Sequence, residues 1–547
     1  MAKGGSILSQ PRRFWPRVAA VAAAGGALFL ATGSVTAQSA APQVTTTCLN
    51  TMRCDGDISW PSVEGTAMNG GRYSPLTQID TSNVKGLKVA WKLSEPAMTG
   101  GMEDYPVVVG DVAYLEGPDS TVLAVNATTG ATIWSYTPKT GFYETAYGAE
   151  SRGVAVGDGR VYLLTKSDQL IALNQATGAV DYDITVANSH LGWSESAPVL
   201  YEDGMVFVGS AGGDSAARGF EEARNAATGK LIWLDWSTPP TGHGWVTGSG
   251  EGGGDVWMNP TPGPDGLLYY STGNPAPDLY GNDRPGADLW TDSIIAVNMR
   301  TGKFVWAHQV IAHDMWDYDS ASPPVVFRTA AGWVVAEADK AGYWSEMDAL
   351  TGQLVTAPEA FVKEDHVMPP TGGKYVLNWP GLTGGSEYSP PSYDPGTELA
   401  YVQGNDIPAL ETAAPVKAHA PGGIALGTDV EALKTPIHYG DFTAFNVGAG
   451  TVAWQDMTSA PTTGGFATTA GGLAFAGVDN GIFEAMDAAT GKVLWSTNVG
   501  TSIGDAPTIY SVAGREYVLL AVGGSLQFQY SKDGYHAGYI AYALPNG

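Results

Sequence analysis

The sequence predicts an all-β fold, an eight-bladed β-propeller built from tryptophan-docking-type repeats, and three observations carry that prediction. First, a string of apolar residues, a turn ending in Thr-Gly or a close variant, three further residues and usually an aromatic recurs along the chain. It occupies residues 124–134 (AVNATTGATIW), 172–182, 223–233, 296–306, 346–356, 444–454 and 485–495, with a degenerate copy at 85–91 (KGLKVAW). Second, each copy alternates β-branched and aromatic residues across its glycine turn, as in LIALNQATGAVDYDI, which is the pattern of a β-hairpin. Third, only 15% of the 547 residues are charged, against roughly 25% in an average soluble protein, too few to solvate the outer faces of many helices.

Taken in chain order, residues 1–37 contain Lys3, Arg12, Arg13 and Arg17, no acid, and an apolar run from Val18 to Ala31. That run is shorter than the ~20 residues a membrane span needs, and Val35-Thr36-Ala37 offers the small residues of a cleavage site. We read it as an export signal cleaved near Ala37, leaving a mature chain without a transmembrane segment; an uncleaved anchor is the alternative. Arg12-Arg13 leaves open whether export uses the general or the twin-arginine route. Residues 38–70 form an N-terminal segment holding Cys48 and Cys54, the only cysteines of the chain. In an oxidising compartment they are expected to form one short disulfide loop. The single propeller domain is expected over residues 71–547. After removal of the leader, eight units share the chain at about 64 residues each, enough for a four-stranded blade plus loops. The repeat tryptophans are read as packing between neighbouring blades. Longer connections fall between Gly229 and Gly302 and between Gly352 and Gly450, where a rigid ring would carry a site.

The formal net charge of −27 excludes a nucleic-acid binder driven by phosphate attraction. There is no C-x-x-C-H, so no c-type haem attaches to this chain.

Four stretches after the copy at 223–233 stand out: GGGDVWMNP (252–260), YYSTGNPAP (269–277), RPGADLWT (284–291) and HDMWDYD (313–319). Together with GRYSPLTQIDTSNVKGLKVAW (71–91), they resemble the quinoprotein alcohol dehydrogenases, periplasmic eight-bladed propellers that hold pyrroloquinoline quinone (PQQ) beside a metal ion. The resemblance runs over nearly the whole mature chain. It implies oxidation of an alcohol or sugar hydroxyl, an external electron acceptor such as a soluble cytochrome c, and it admits a homodimer.

A tricarboxylate quinone needs cationic clamps, a flat aromatic floor and a hard cation with oxygen ligands. Arg152 matches the family arginine that holds a cofactor carboxylate, Thr165 and Glu103 fall where the family places cofactor hydrogen bonds, and Trp257 matches the floor on which the ring stacks. Lys340 would donate to the quinone oxygens. The metal is expected among Asp214, Asn274 and Asp317, with calcium placed ahead of a lanthanide ion. Asp317 resembles the general base that removes the hydroxyl proton as hydride passes to the quinone. Asp319 is an extra carboxylate of the kind that accompanies lanthanide use in the family, because a trivalent ion gains more from an added anion. His313 reads as a structural turn residue.

The chain departs from the family pattern at several places. Ala146-Tyr147 stands in place of a vicinal cysteine pair, Asp255 in place of a threonine, Glu387-Tyr388 in place of Asn-Trp, Ala287-Asp288 in place of Asp-Asn, and Asp214 in place of a glutamate. Two added acids beside a tricarboxylate repel it unless they are protonated or paired. These departures keep two alternatives open: a quinone-free propeller hydrolase such as a tetrathionate hydrolase of an acidophile, and a non-catalytic propeller scaffold.

Overall fold

The structure is a computed structural model that describes residues 44–66, 69–94, 101–143, 151–239, 252–416, 422–431, 439–524 and 537–545. The expected leader, residues 1–37, and its cleavage point lie outside the described residues, as does the Ala146-Tyr147 pair. No helix among the described residues is long and apolar enough to cross a membrane.

Among the described residues the strands form eight blades of four antiparallel strands, and in the seventh Tyr73–Ser74 adds a fifth strand parallel to Phe466–Thr469. Blades 1 to 7 span residues 107–136, 155–185, 200–236, 261–309, 325–360, 392–458 and 466–498. The eighth is assembled from both ends of the chain. Thr508–Val512, Arg515–Val522 and Gly538–Ala543 are joined by Lys88–Ser94, with Lys88 opposite Ala543 and Ser94 opposite Gly538. The degenerate repeat copy at 85–91 is therefore the outer edge of the last blade. This pairing closes the ring, so no blade is left with a neighbour on one side only.

The repeat acquires its meaning where blades meet. Each Thr-Gly turn places its glycine at a φ near +70°, a backbone state that glycine reaches without penalty, and lays it on the outer aromatic of the preceding blade. A Cβ on Gly130 would lie 2.7 Å from the Trp91 ring, on Gly178 2.7 Å from Trp134, on Gly302 2.6 Å from Trp233, on Gly352 2.4 Å from Trp306 and on Gly491 2.6 Å from Trp454. The same indoles donate from Nε1 to a carbonyl of the next blade: Trp91 to Ala127 at 2.9 Å, Trp233 to Met299 at 2.9 Å, Trp306 to Ala349 at 3.1 Å. Where the sequence copy is imperfect the contact is kept with another side chain. Tyr182 packs on Gly229 and donates to Ala226 O at 3.2 Å, and Thr356 lies against Gly450. Burial follows the radial order: the innermost strand of blade 1, Val107–Val109, is fully buried, whereas the outermost, Thr132–Tyr136, is largely exposed.

The N-terminal segment is bound onto this ring. Cys48 and Cys54 form the expected disulfide, at the end of a short helix, Thr46–Thr51, capped by Thr45. Arg72 is completely buried, donates to Val63 O, to Phe466 O at 3.0 Å and to Pro507 O at 2.8 Å, and stacks on Trp60 and Tyr105. One guanidinium thus joins the segment to blades 7 and 8. A further small sheet, which the sequence did not signal, pairs Val376–Asn378 from the connection after blade 5 with Ala409–Ala413 and Thr428–Glu431 from the second-to-third connection of blade 6.

Two tests follow from this packing. Gly352 and Gly266 share nearly the same φ, +69° and +72°, but a Cβ on Gly266 meets nothing within 4 Å. Gly352→Ala is expected to lower the thermal midpoint well beyond Gly266→Ala; equal losses would mean that backbone strain alone, and not blade docking, is being measured. The second concerns pH. Burial pushes Asp104 up to about 8, and Glu64 and Asp441 up to about 7 against the help of Arg72 and Thr443 respectively. Raised folded-state values make the folded chain hold protons that the unfolded chain releases, so this stability is complete below about pH 4 and lost as pH rises to about 8. Thermal midpoints should fall across that window; a rise from pH 5 to pH 8 would contradict the assignment.

Candidate active site

In an antiparallel four-stranded blade, the connection from second to third strand and the connection to the next blade emerge at the same end. Every candidate residue read from the sequence sits in one or the other. Asp214, Asn274 and Lys340 follow second strands, Met205–Gly209, Leu267–Thr272 and Gly332–Ala338, and Thr165 follows Arg160–Leu164. Glu103, Arg152, Trp257 and Asp317 lie in connections leading to the next innermost strand. Residues far apart in sequence therefore converge on one mouth.

There they line a cavity of about 220 Å³ with Lys166, Ser194, Ser196, Asp255 and Glu387. Arg152, Trp257, Asp214, Asn274, Asp317, Asp319 and Lys340 all reach its wall. Glu103 stands behind it, 2.7 Å from Arg152 Nη2. Thr165 is buried and turned to Gln169 Oε1 at 3.0 Å; its neighbour Lys166 takes the place at the wall.

The floor is aromatic and locked. The Arg152 guanidinium lies 4.9 Å from the Trp257 ring and 4.8 Å from Tyr388, and donates to Ser196 Oγ at 2.8 Å. Trp257 donates from Nε1 to Asp319 Oδ2 at 2.7 Å, and Tyr388 donates to Gly504 O at 3.1 Å. Asp319 thus holds the indole plane and keeps Oδ1 turned toward Lys340, 3.6 Å away.

Beside the floor lies the acidic cluster. Lys340 Nζ is 3.1 Å from Asp317 Oδ1 and 3.9 Å from Glu387 Oε2. Carboxylate oxygens of Asp214, Asp278 and Asp317 all lie within 4.8 Å of one another, and Asn274 Nδ2 lies 3.5 Å from Asp214 Oδ1. Asp317 has a φ of +67° and keeps 21% of its side chain exposed, toward the cavity. Its loop is shaped by Asp314, which accepts from the N–H groups of Trp316 and Tyr318 at 3.0 and 2.9 Å. The buried Arg284 then ties that loop to the NPAP loop by donating to the carbonyls of Asp314, Pro277 and Asp278 and to the Asp288 carboxylate. This explains Asp288, whose carboxylate also accepts from His313 Nδ1 at 3.1 Å. His313 does not reach the cavity wall and serves the turn.

Charge at this mouth is unbalanced: the wall carries five acids, Asp214, Asp255, Asp317, Asp319 and Glu387, and three bases, Arg152, Lys166 and Lys340. Burial, then repulsion by Asp319, raises Asp214 to about 6, with Lys340 opposing. Burial also raises Asp317 well above the usual carboxylate range, against the pull of Lys340. Burial by itself would lower Lys340, but Asp317, Asp319 and Glu387 outweigh it and hold the ammonium well above its ordinary value. The two added acids move toward the conditions they had to meet: Asp255 is pushed by burial, and by Asp319 and Asp214, up to about 8, which favours its neutral form, while Glu387 faces Lys340.

The donor set fits a hard cation. All candidate ligand atoms are oxygen, as ions of the calcium type require, and the shared carboxylates leave a deficit of positive charge that a multivalent ion would fill. Sequence reasoning missed Asp278, which directly follows NPAP and whose placement depends on Arg284 reaching across two loops.

Residues 60–368 and 422–518 match the family described as PQQ: glucose/ethanol/alcohol dehydrogenase, beta-propeller domain. The quinohemoprotein alcohol dehydrogenase of Comamonas testosteroni is 31% identical over 86% of this chain and 75% of its own length. A lanthanide-dependent methanol dehydrogenase of Methylacidiphilum fumariolicum is 30% identical over 83% of each chain. The crystal structure of the Comamonas testosteroni quinohemoprotein alcohol dehydrogenase is similar with a TM-score of 0.82 at 27% identity, covering 92% of this chain and 83% of that one. Fold, family match and relatives agree, and the chain belongs to the PQQ-dependent alcohol dehydrogenase family, as a quinoprotein-type oxidoreductase.

Proposed function

We propose that this protein is an exported, periplasmic PQQ-dependent dehydrogenase that oxidises an alcohol or sugar hydroxyl and passes electrons to an external acceptor such as a soluble cytochrome c. The observation that carries the reading is the single cavity in which an aromatic floor, an arginine clamp and a carboxylate cluster with an exposed Asp317 oxygen meet. Trp257 would receive the planar ring, and Arg152, held by Glu103 and Ser196, would bind a carboxylate of the cofactor. Asp214, Asn274, Asp317 and Asp319 would hold the cation, calcium or a lanthanide. When bound, the quinone supplies the two-electron acceptor for the hydride and the cation polarises its carbonyl.

Within this chain Asp317 is the base. Its exposed edge faces the cavity, where it would accept the hydroxyl proton as the carbinol carbon gives up hydride. A buried carboxylate with a raised pKa is protonated and idle, so the site needs the charge of Lys340 and of the cation to keep Asp317 ionised. Lys340 fixes that oxygen at 3.1 Å. The sulfur-chemistry alternative needs a reactive thiol, and both cysteines are tied into the Cys48–Cys54 bridge; the scaffold alternative gives no account of a buried cluster of like charges.

Asp317→Asn keeps an oxygen ligand and removes the base. It is expected to retain quinone in the absorption spectrum while kcat for primary alcohols falls roughly 10² to 10⁴-fold. Turnover comparable to the wild type would remove Asp317 from that role. Arg152→Met is expected to weaken quinone uptake in equilibrium titration, whatever the alcohol; unchanged affinity would show that Arg152 serves only to pack Trp257 and Tyr388.

A further inference from the structure

We propose that Asp278 is a direct carboxylate ligand of the active-site cation, an additional anionic donor beyond Asp214, Asn274, Asp317 and Asp319, and that it biases the site toward a trivalent ion. The proposal rests on reading this cavity as a quinone and metal site.

Three observations lead to it. Carboxylate oxygens of Asp278, Asp214 and Asp317 form a triangle with no side above 4.8 Å, a span that one hard cation bridges. Asp278 is fully buried, and neither of its carboxylate oxygens has a hydrogen-bond partner among the described residues. Its backbone is pinned on both sides: the preceding carbonyl, Pro277 O, accepts from Arg284 Nε at 2.8 Å, and its own carbonyl accepts from Arg284 Nη2 at 2.5 Å. The guanidinium beside it is therefore spent on backbone oxygens of Asp278, Pro277 and Asp314 and on the Asp288 carboxylate, while the ion-pair contacts of Lys340 go to Asp317, Asp319 and Glu387. A buried carboxylate without hydrogen bonds is costly unless a cation meets it or a proton neutralises it. Its place on the edge of the Asp214–Asp317 pair favours the cation.

The preference for a trivalent ion follows from charge. With Asp278, three carboxylates, those of Asp214, Asp278 and Asp317, share one position, and the Coulomb gain from each grows with the charge of the ion. A chain carrying this third acid holds a trivalent ion disproportionately better than a divalent one.

The test uses the mature full-length chain loaded with PQQ and stripped of metal. Terbium is titrated by tryptophan-sensitised luminescence, calcium by competition, and metal-bound water is counted from luminescence lifetimes in light and heavy water. Asp278→Ala is expected to weaken terbium binding at least about tenfold more than calcium binding, since the lost Coulomb term scales with ion charge, and to admit about one more water in place of the lost oxygen. The near-isosteric Asp278→Asn guards against a folding defect in the alanine variant; it should lose the terbium preference with little change in hydration. Terbium affinity and water count unchanged in both variants would overturn the proposal and mark Asp278 as a protonated, uncharged neighbour. Wild-type protein that takes up quinone and terbium while the variants match it sinks only this assignment; wild-type protein that takes up neither sinks the functional reading beneath it as well.

Discussion

The contact between the outer aromatic of one blade and the Thr-Gly turn of the next is the constraint on which the rest of the molecule depends. It is short range and sterically strict: the glycine lies so close to the indole that a methyl group has no place between them. The indole N–H then fixes the rotation of one blade against the next. Repeated around the ring and closed by Lys88–Ser94 on Gly538–Ala543, this contact sets where the ends of the strands lie. Because the four consecutive strands of a blade run antiparallel, two connections from each blade share one end, and a site composed of residues from 103 to 387 becomes a local object. The geometry of the cavity is inherited from packing at the opposite, outer edge of the blades.

What the ring gathers at that mouth is mostly negative. Water does not relieve the repulsion there, because most of these carboxylates are buried. The protein manages it by three separate devices. Burial and the neighbouring acids push Asp255 toward its protonated form, Glu387 is set toward Lys340, and Asp319 divides its two oxygens between Trp257 and the lysine. Asp214, Asp278 and Asp317 remain without such compensation beyond Lys340, and it is their shared space that calls for a cation. Arg284, completely buried and outside the cavity lining, joins the two loops that present Asp278 and Asp317.

Much of this was legible in the sequence, for identifiable reasons. The blades were readable because glycine and tryptophan at a fixed offset answer a steric demand that few other residues meet, and Arg152, Trp257, Asn274 and Asp317 were readable because they sit in stretches with a recognisable order. Even the imperfect copies kept their place, with Tyr182 and Thr356 in the docking position. Other features depend on contacts that no local pattern encodes. The role of Lys85–Trp91 as the edge of the last blade needs a partner some 450 residues away. The sheet built from Val376–Asn378, Ala409–Ala413 and Thr428–Glu431 lies in a region of irregular composition. Thr165 sits in the expected connection but is satisfied by Gln169, and Asp278 is one residue past a conspicuous motif with nothing in its own neighbourhood to mark it.

The central claim is that this cavity holds PQQ over Trp257 with a cation shared among Asp214, Asp278 and Asp317. The most direct measurement is anomalous diffraction from crystals of the mature chain reconstituted with PQQ and an anomalously scattering calcium-like ion. The account predicts one strong anomalous peak within that carboxylate cluster and planar density stacked on the Trp257 indole. A peak elsewhere, or a cavity without quinone under conditions that saturate it, would contradict the account.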